Sequence, residues 1–158
     1  MDKVTSIFQK NHIKLNIDIR HKEETLRYLA ELALDVGVSH DLVQTYESML
    51  KREGEFTTGF GEGFAIPHAK CASIVKPGVF LVKLKSPIDW NAIDGEPVSL
   101  IIGLLTPAEN NGSIHLTLLA SLSRKLMEED FKKRFFLSHD QDELFNLITE
   151  ALTAFENE

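Results

Sequence analysis

A histidine that follows a glycine-rich stretch is the feature of this sequence with the clearest chemical potential. His68 stands directly after Pro67, and Gly59, Gly61 and Gly63 precede it at alternate positions. Proline fixes its own φ angle and favours an extended residue before it, so the histidine should be presented from a rigid segment. Imidazole has an ordinary pKa near neutrality, so a nitrogen lone pair is available to attack an electrophile or to bind a metal.

The glycine spacing does not match a nucleotide-binding motif. The pattern G-x-G-x-G lacks the lysine and hydroxyl residue of a P-loop, and no helix signal follows it, so direct binding of ATP or a dinucleotide is not predicted. Glycine still permits positive φ angles and close backbone approach. The simplest interpretation is a tight β-hairpin with a histidine near the surface, and the alternative is a loop built around a reactive His68.

A second histidine, His115, is predicted to lie in the first turn of a helix that Ser113 can cap. Leucines at helical spacing between residues 118 and 126 place it on the buried side, where histidine is commonly a core residue. However, the helix directly follows a predicted central strand. Open α/β sheets bind ligands at that position, and free backbone N–H groups at a helix start favour phosphate. We therefore expect His115 to contribute to the site of His68.

Arg52 is the third candidate, because it lies in the last turn of the predicted helix that leads into the glycine stretch. A cation at a helix C-terminus is favourable by itself, by roughly 0.3 to 1 kcal/mol, so Arg52 could be only a capping charge. Its planar guanidinium could also reach a phosphate at His68 with two parallel N–H donors. The single cysteine, Cys71, has no second cysteine to pair with and is predicted to be a small, partly buried thiol.

The residues around His68 resemble a known family signature. Thr58-Gly59, Gly61, Gly63 and the run Ala65-Ile66-Pro67-His68 are similar to the phosphorylation site of the fructose/mannitol-type IIA domains of the bacterial phosphoenolpyruvate-dependent sugar phosphotransferase system. The resemblance extends over nearly the whole chain. It implies a mixed five-stranded sheet flanked by helices.

The resemblance also implies roles for the three candidate residues. His68 would accept a phosphoryl group through Nε2 from the phosphohistidine of the carrier protein HPr and pass it to a cysteine of a IIB component. His115 matches the second histidine of the mannitol branch, which assists the first, and Arg52 matches the arginine that precedes the glycines there. The resemblance implies no cofactor and no metal.

The elements that must position these residues follow from hydrophobic periodicity, which predicts an α/β fold independently of the resemblance. We expect Ser39 to cap the second helix, Val43 to face inward and Trp90 to be a packing residue. The predicted elements, in order, are an outer strand at 13–19, a helix at 22–36, a second helix ending near 54, central strands at 79–84 and 98–105, a third helix from 113, a short helix around 131–136 and a final helix around 144–155.

Composition narrows the class of protein. The chain has 158 residues, of which 43% are hydrophobic, and this suits one compact domain spanning 1–158. A formal net charge of -7 argues against general binding to nucleic acid or anionic membranes. No apolar run approaches the roughly 20 residues needed to cross a bilayer, and no signal-peptide core follows Met1. We expect a cytoplasmic protein that does not insert into the membrane.

Two other functions remain open on sequence grounds. The chain could be a regulator similar to the nitrogen-related IIA proteins, whose phosphorylation state is sensed by partner proteins. It could also be a metal-dependent hydrolase that uses His68 and His115 as ligands, although the sequence contains no third ligand at a convincing spacing, such as an HExxH motif.

Overall fold

The computed structural model describes residues 6–108 and 113–152. The chain forms a mixed sheet with helices on both faces, which confirms the α/β prediction. The strands are β1 (Ile13–Ile17), β2 (Gly59–Gly61), β3 (Phe64–Ala65), β4 (His68–Cys71), β5 (Gly78–Ile88) and β6 (Val98–Pro107). The helices are α1 (Lys22–Asp35), α2 (Leu42–Glu55), α3 (Ser113–Leu126), α4 (Glu129–Leu137) and α5 (Gln141–Ala151).

Over the described residues the sheet has six strands, and not the five that the resemblance implied, because one strand is interrupted beside the histidine. Strands β3 and β4 lie one after the other along β6, both parallel to it, with Phe64 opposite Leu100 and His68 opposite Leu104. Pro67 stands between them and has no N–H to donate, although its carbonyl accepts a bond from the Leu104 N–H at 2.9 Å. The ladder therefore restarts at His68.

Two hydrophobic cores fix the position of the sheet. Strands β5 and β6 are central and pair with each other antiparallel. Along β5, Val79 and Leu81 pack in the core beneath α3, α4 and α5, whereas Phe80 and Val82 pack in the core beneath α1 and α2. A strand buried on both faces has a nearly continuous apolar sequence, so the predicted central strands are confirmed. Trp90 is fully buried in the second core, as predicted.

The start of α2 differs from the prediction. Asp41, and not Ser39, caps the helix, because its carboxylate accepts a bond from the Gln44 N–H at 3.1 Å. Ser39 is buried and its hydroxyl lies 2.8 Å from the hydroxyl of Thr45. The inward orientation predicted for Val43 is also wrong, since 58% of this residue is exposed while Thr45 is fully buried. Hydroxyl groups that bond to each other replace an apolar contact at this turn.

The remaining elements agree with the predicted order. The outer strand β1 pairs with β5 at one edge of the sheet and ends at Ile17, two residues earlier than predicted. Helix α4 buries Phe131 and Phe135, as expected for an amphipathic helix. Cys71 is buried, more deeply than predicted. The capping role predicted for the side chain of Ser113 and the helical end predicted near residue 155 lie outside the described residues.

The α-helices of the described part of the chain are 9 to 14 residues long. None of them, over residues 6–108 and 113–152, combines the length and the apolar character that a membrane-crossing helix needs.

Candidate functional site

Three elements converge on one open cleft with a volume of about 350 Å³. The last turns of α2, the start of β4 and the first turn of α3 form its walls. The three residues singled out from the sequence, His68, His115 and Arg52, all line this cleft. The other lining residues are Ser48, Lys51, Glu55, Ala69 and Lys70.

The glycine stretch forms the antiparallel hairpin of β2 and β3, which was the simpler of its two interpretations. Gly61 and Gly63 have φ angles of 113° and 91°, and Glu62 between them has a φ of 56°, so the turn needs left-handed backbone. A Cβ atom at Gly59 would lie 2.7 Å from Cα of Ala92. The hairpin therefore packs tightly against the segment that follows β5 and gives the next strand a fixed starting point.

The ring of His68 is half-buried and held by a hydrogen bond. Its Nδ1 lies 2.7 Å from the carbonyl oxygen of Ile66, and a carbonyl only accepts, so Nδ1 carries the proton and Nε2 keeps a lone pair. Burial lowers the pKa of His68 below its ordinary value, the charge of Arg52 lowers it further, and the bond to Ile66 and the charge of Glu53 oppose this shift. A neutral imidazole with a free Nε2 is a nucleophile at neutral pH.

The ring of His115 lies next to that of His68. The two ring centroids are 5.2 Å apart and the planes are inclined by 53°. Nδ1 of His115 is 3.1 Å from the hydroxyl oxygen of Thr106 at the end of β6. Burial lowers the pKa of His115 to about 4, with smaller contributions from His68, Lys70 and Arg52. His115 is half-buried at the cleft and not packed in the core, in contrast to the commoner placement of a histidine on a buried helix face.

Arg52 bonds to the backbone at the end of α2 and also lines the cleft. Its Nη1 donates to the carbonyl oxygen of Phe56 at 2.8 Å, beyond the end of α2, so it does cap the helix terminus. It also lines the cleft, and a guanidinium has further N–H groups available to an anion. Arg52 therefore shares the cleft with both imidazoles, and its bond to the helix end uses one of its nitrogens, Nη1.

Two lysines at the cleft were not singled out from the sequence. Lys51 precedes Arg52 on α2, and Lys70 is two residues after His68 on β4. Residues i and i+2 of a strand point to the same face, so the spacing from His68 could have identified Lys70. Together with Arg52 they add positive charge on two walls of a cleft that also contains the carboxylate of Glu55. The three cations outnumber the single carboxylate, so the cleft attracts an anionic group.

A buried carboxylate connects α2 to the glycine hairpin and was also missed. Glu53 accepts bonds from the backbone N–H of Thr58 at 2.7 Å and from its hydroxyl at 2.6 Å. The ammonium group of Lys22 lies 3.0 Å from the same carboxylate and donates to the carbonyl of Trp90 at 3.0 Å. The indole N–H of Trp90 donates to the hydroxyl of Thr58 at 3.2 Å. This network holds the turn carrying Arg52 against the segment that leads to His68.

Over 6–108 and 113–152, no three side chains from histidine, cysteine, aspartate and glutamate are grouped so that they could hold a metal ion. His68 and His115 thus have no third side-chain ligand in this part of the chain.

The lowered pKa values predict how the two histidines titrate. In an NMR pH titration, His68 and His115 should both change protonation below the ordinary value of about 6.5, and His115 should do so at about 4. Because folding disfavours the protonated form, the free energy of unfolding should fall as the pH decreases from about 6.5 towards 4. Removal of one titrating group by His115→Gln should weaken this dependence. Titration of either histidine at or above the ordinary value would contradict the prediction.

The fold and the site together define the class of protein, a small α/β protein that presents a neutral imidazole in a cationic cleft. Comparisons with known proteins agree. Residues 6–151 match the family model described as the phosphoenolpyruvate-dependent sugar phosphotransferase system, EIIA 2. This chain belongs to that family.

The similar proteins include both sugar-transport components and regulators. The chain is 36% identical to the fructose-specific EIIA component of Haloferax volcanii, covering 83% of this chain and 84% of that protein. It is 32% identical to the nitrogen regulatory protein of Klebsiella oxytoca, covering 94% and 91%. It is also 32% identical to the fructose-specific EIIABC component of Bacillus subtilis, but there 94% of this chain spans only 23% of the relative.

Solved structures support the same family fold. The nitrogen regulatory protein IIA-Ntr of Neisseria meningitidis superposes with a TM-score of 0.85 at 28% identity, covering 92% of this chain and 98% of that one. The mannitol IIA of Escherichia coli superposes with a TM-score of 0.74 at 24% identity, covering 89% and 97%. The second likeness concerns the fold alone.

Proposed function

We propose that this protein is a phosphoryl carrier that accepts a phosphoryl group from phosphorylated HPr on Nε2 of His68 and donates it to a cysteine of a IIB component. Membership of the phosphotransferase family supports the class of reaction. The observation that supports the acceptor atom is the bond from Nδ1 of His68 to the carbonyl of Ile66, which leaves the Nε2 lone pair free. The proposal includes the cytoplasmic location that this role implies.

The site chemistry follows from how a phosphoryl group moves. The bond between phosphorus and the donor histidine of HPr breaks while a bond to Nε2 of His68 forms, through a loose, in-line transition state. The protein then has to position the nucleophile and surround the equatorial oxygens with donors. Arg52, Lys51 and Lys70 would supply positive charge from the walls of the cleft. The IIB thiolate would finally attack phosphorus and release His68.

A reconstitution experiment tests this function. The purified chain is mixed with HPr, its phosphoenolpyruvate-dependent kinase and phosphoenolpyruvate, and the product is analysed by intact mass spectrometry and acid treatment. We expect one phosphoryl adduct per chain that is labile in acid, as a phosphoramidate should be. Absence of an adduct in the presence of fully phosphorylated HPr would overturn the proposal.

Replacement of His115 tests the assisting role. We expect His115→Ala to fold and to bind its partners, but to pass the phosphoryl group on about ten- to a hundredfold more slowly. The reason is that a hydrogen bond to a charged group is worth roughly 1.5 to 3 kcal/mol. Rapid-quench kinetics with phosphorylated protein and a IIB domain would measure this. Unchanged kinetics would show that His115 has no part in transfer, despite the 5.2 Å separation of the rings.

A second candidate function is regulation, in which His68 is also phosphorylated but the phosphoryl group acts as a signal and is not passed on to a sugar. The similarity to nitrogen regulatory proteins favours a regulator whose phosphorylated and unphosphorylated forms bind different partners. Offering the phosphorylated chain a panel of IIB domains separates the two. Rapid transfer to a IIB cysteine supports the transport role, whereas phosphorylation by HPr without any IIB acceptor favours the regulatory one.

A further inference from the structure

The hydroxyl of Thr106 is placed to determine which nitrogen of His115 carries the proton. Thr106 lies near the end of β6 and is only 1% exposed. Its Oγ1 is 3.1 Å from Nδ1 of His115, in the first turn of the next helix. The contact is between side chains, and either group could in principle donate.

Among the described residues, the hydrogen-bonding groups around Thr106 favour one direction of this bond. A threonine hydroxyl has one proton and also accepts, whereas Nδ1 of a neutral imidazole either donates or accepts. Over residues 6–108 and 113–152, Nδ1 of His115 is the one hydrogen-bond partner found for this hydroxyl. If Nδ1 donated, the buried hydroxyl proton would have no acceptor there, which costs about 1 to 3 kcal/mol. If the hydroxyl donates, both groups are satisfied.

The two neighbouring histidines are then in opposite tautomers. His68 faces a backbone carbonyl, which can only accept, and so carries its proton on Nδ1. With the hydroxyl of Thr106 as the donor, His115 carries its proton on Nε2. One ring presents a lone pair and the other presents an N–H group.

We infer that Thr106 is a positioning residue that donates to Nδ1 of His115, so that neutral His115 offers its Nε2–H to an oxygen of the phosphoryl group on His68. This inference rests on the proposed function for its phosphoryl ligand, although the tautomer itself does not. In the other tautomer, a neutral His115 would direct a lone pair towards the anionic oxygens and repel them.

The tautomer of His115 determines which of its nitrogens can donate, because the ring is neutral at physiological pH. Burial and the neighbouring groups keep the pKa of His115 near 4, so the ring is neutral at physiological pH and cannot donate from both nitrogens. The titratable and charged groups that act on it are His68 and Lys70 from β4 and Arg52 from α2. Once a phosphoryl group is present, its negative charge should raise this pKa, and an N–H already aimed at the oxygens would need no proton uptake.

Nitrogen-15 NMR of the unphosphorylated protein measures the tautomer directly. We expect His115 in the native chain to show a protonated Nε2 and an unprotonated Nδ1 at pH 7. Thr106→Val removes the donor while keeping the branched shape in a strand, and it should shift His115 towards a mixture of tautomers or the Nδ1–H form. Thr106→Ser should retain the native pattern. A native His115 protonated on Nδ1, or a Thr106→Val spectrum that is unchanged, would overturn the inference.

Transfer kinetics test the consequence. Thr106→Val should slow transfer to a IIB domain about tenfold through kcat with little change in KM, because one oriented hydrogen bond is lost while the substitution is at a buried residue and leaves the surface unchanged. Thr106→Ser should recover most of the rate. An unaltered Thr106→Val rate would refute the positioning role. If the native protein has the predicted tautomer but accepts no phosphoryl group, the proposed function fails and the tautomer stands; if it transfers phosphoryl groups with the other tautomer, only this inference fails.

Discussion

The His68→Ala variant is expected to lose phosphoryl acceptance completely while keeping its fold. Among the described residues that line the cleft, His68 is the one that combines a free nitrogen lone pair with a lowered pKa. His115, 5.2 Å away, is also neutral, but its Nε2 is expected to hold a proton and therefore to lack a lone pair. Incubation with phosphorylated HPr followed by intact mass spectrometry should show no adduct.

A matched control separates loss of the acceptor from a general effect of removing a histidine. His139 is exposed and precedes α5, outside the residues lining the cleft, so His139→Ala should be phosphorylated like the native chain. Thermal unfolding of both variants checks that the fold is intact. An acid-labile adduct on folded His68→Ala would show that another residue is the acceptor.

The position of the phosphorus on the ring is a stricter measurement on the native protein. Because the carbonyl of Ile66 accepts from Nδ1 of His68, phosphorylation should occur at Nε2. Phosphorus and nitrogen NMR of the labelled adduct distinguish the two isomers. A phosphoryl group on Nδ1 would require the ring to break this bond, and it would contradict the geometry of the cleft.

Local sequence patterns predicted the presentation of His68 well. The proline before it explains both the interruption of the strand and the rigid start of β4, and the glycines before it form the hairpin that was the simpler of their two interpretations. Both signals act within about ten residues of chain. The strand count was wrong, because the resemblance implied five strands. The interruption at Pro67 instead produces two strands, β3 and β4, that pair one after the other with β6.

Contacts between distant segments could not be predicted in the same way. Thr106 has no local feature that marks it as a partner of His115, and their contact depends on how α3 begins relative to β6. Similarly, Lys22 and Glu53 are 31 positions apart and meet only because α1 and α2 pack side by side. Helix periodicity assigned Val43 to the core, since it could not anticipate that a hydroxyl pair, Ser39 and Thr45, would be buried there instead.

Replacement of Glu53 is expected to have the largest effect on stability. The side chain of Glu53 is 6% exposed and that of Lys22 is 13% exposed, so Glu53→Ala would leave a mostly buried ammonium without its counter-charge and the Thr58 N–H without its acceptor. Breaking a buried ion pair from one side costs about 3 to 5 kcal/mol. Urea denaturation should therefore show a free energy of unfolding lower by roughly that amount. A change below about 1 kcal/mol would contradict this prediction.

Glu31→Ala is the matched control, since it also removes a glutamate from a helix. Glu31 pairs with Arg27 one turn away, and the two side chains are 46% and 54% exposed. Pairs of this kind contribute about 0.3 to 0.5 kcal/mol, so the variant should unfold nearly as the native chain does. The difference in free energy of unfolding between the two variants would then reflect the burial of Glu53 and its bonds, because both variants lose a carboxylate.

A double-mutant cycle shows how the stabilising energy of Glu53 is divided. Lys22→Met removes the positive charge of the pair while keeping a long, unbranched side chain, so Glu53→Ala should cost less in that background than alone, by the coupling of the ion pair. What remains should be the cost of leaving the N–H and hydroxyl of Thr58 without an acceptor, about 1 to 3 kcal/mol for a buried donor.

Glu53→Ala should also slow phosphoryl transfer in the folded protein. Thr58 directly precedes the hairpin that leads to His68, and Glu53 follows Arg52, so the bonds between Glu53 and Thr58 hold two parts of the site together. Native transfer rates in that variant would mean that the network stabilises the fold without positioning the site.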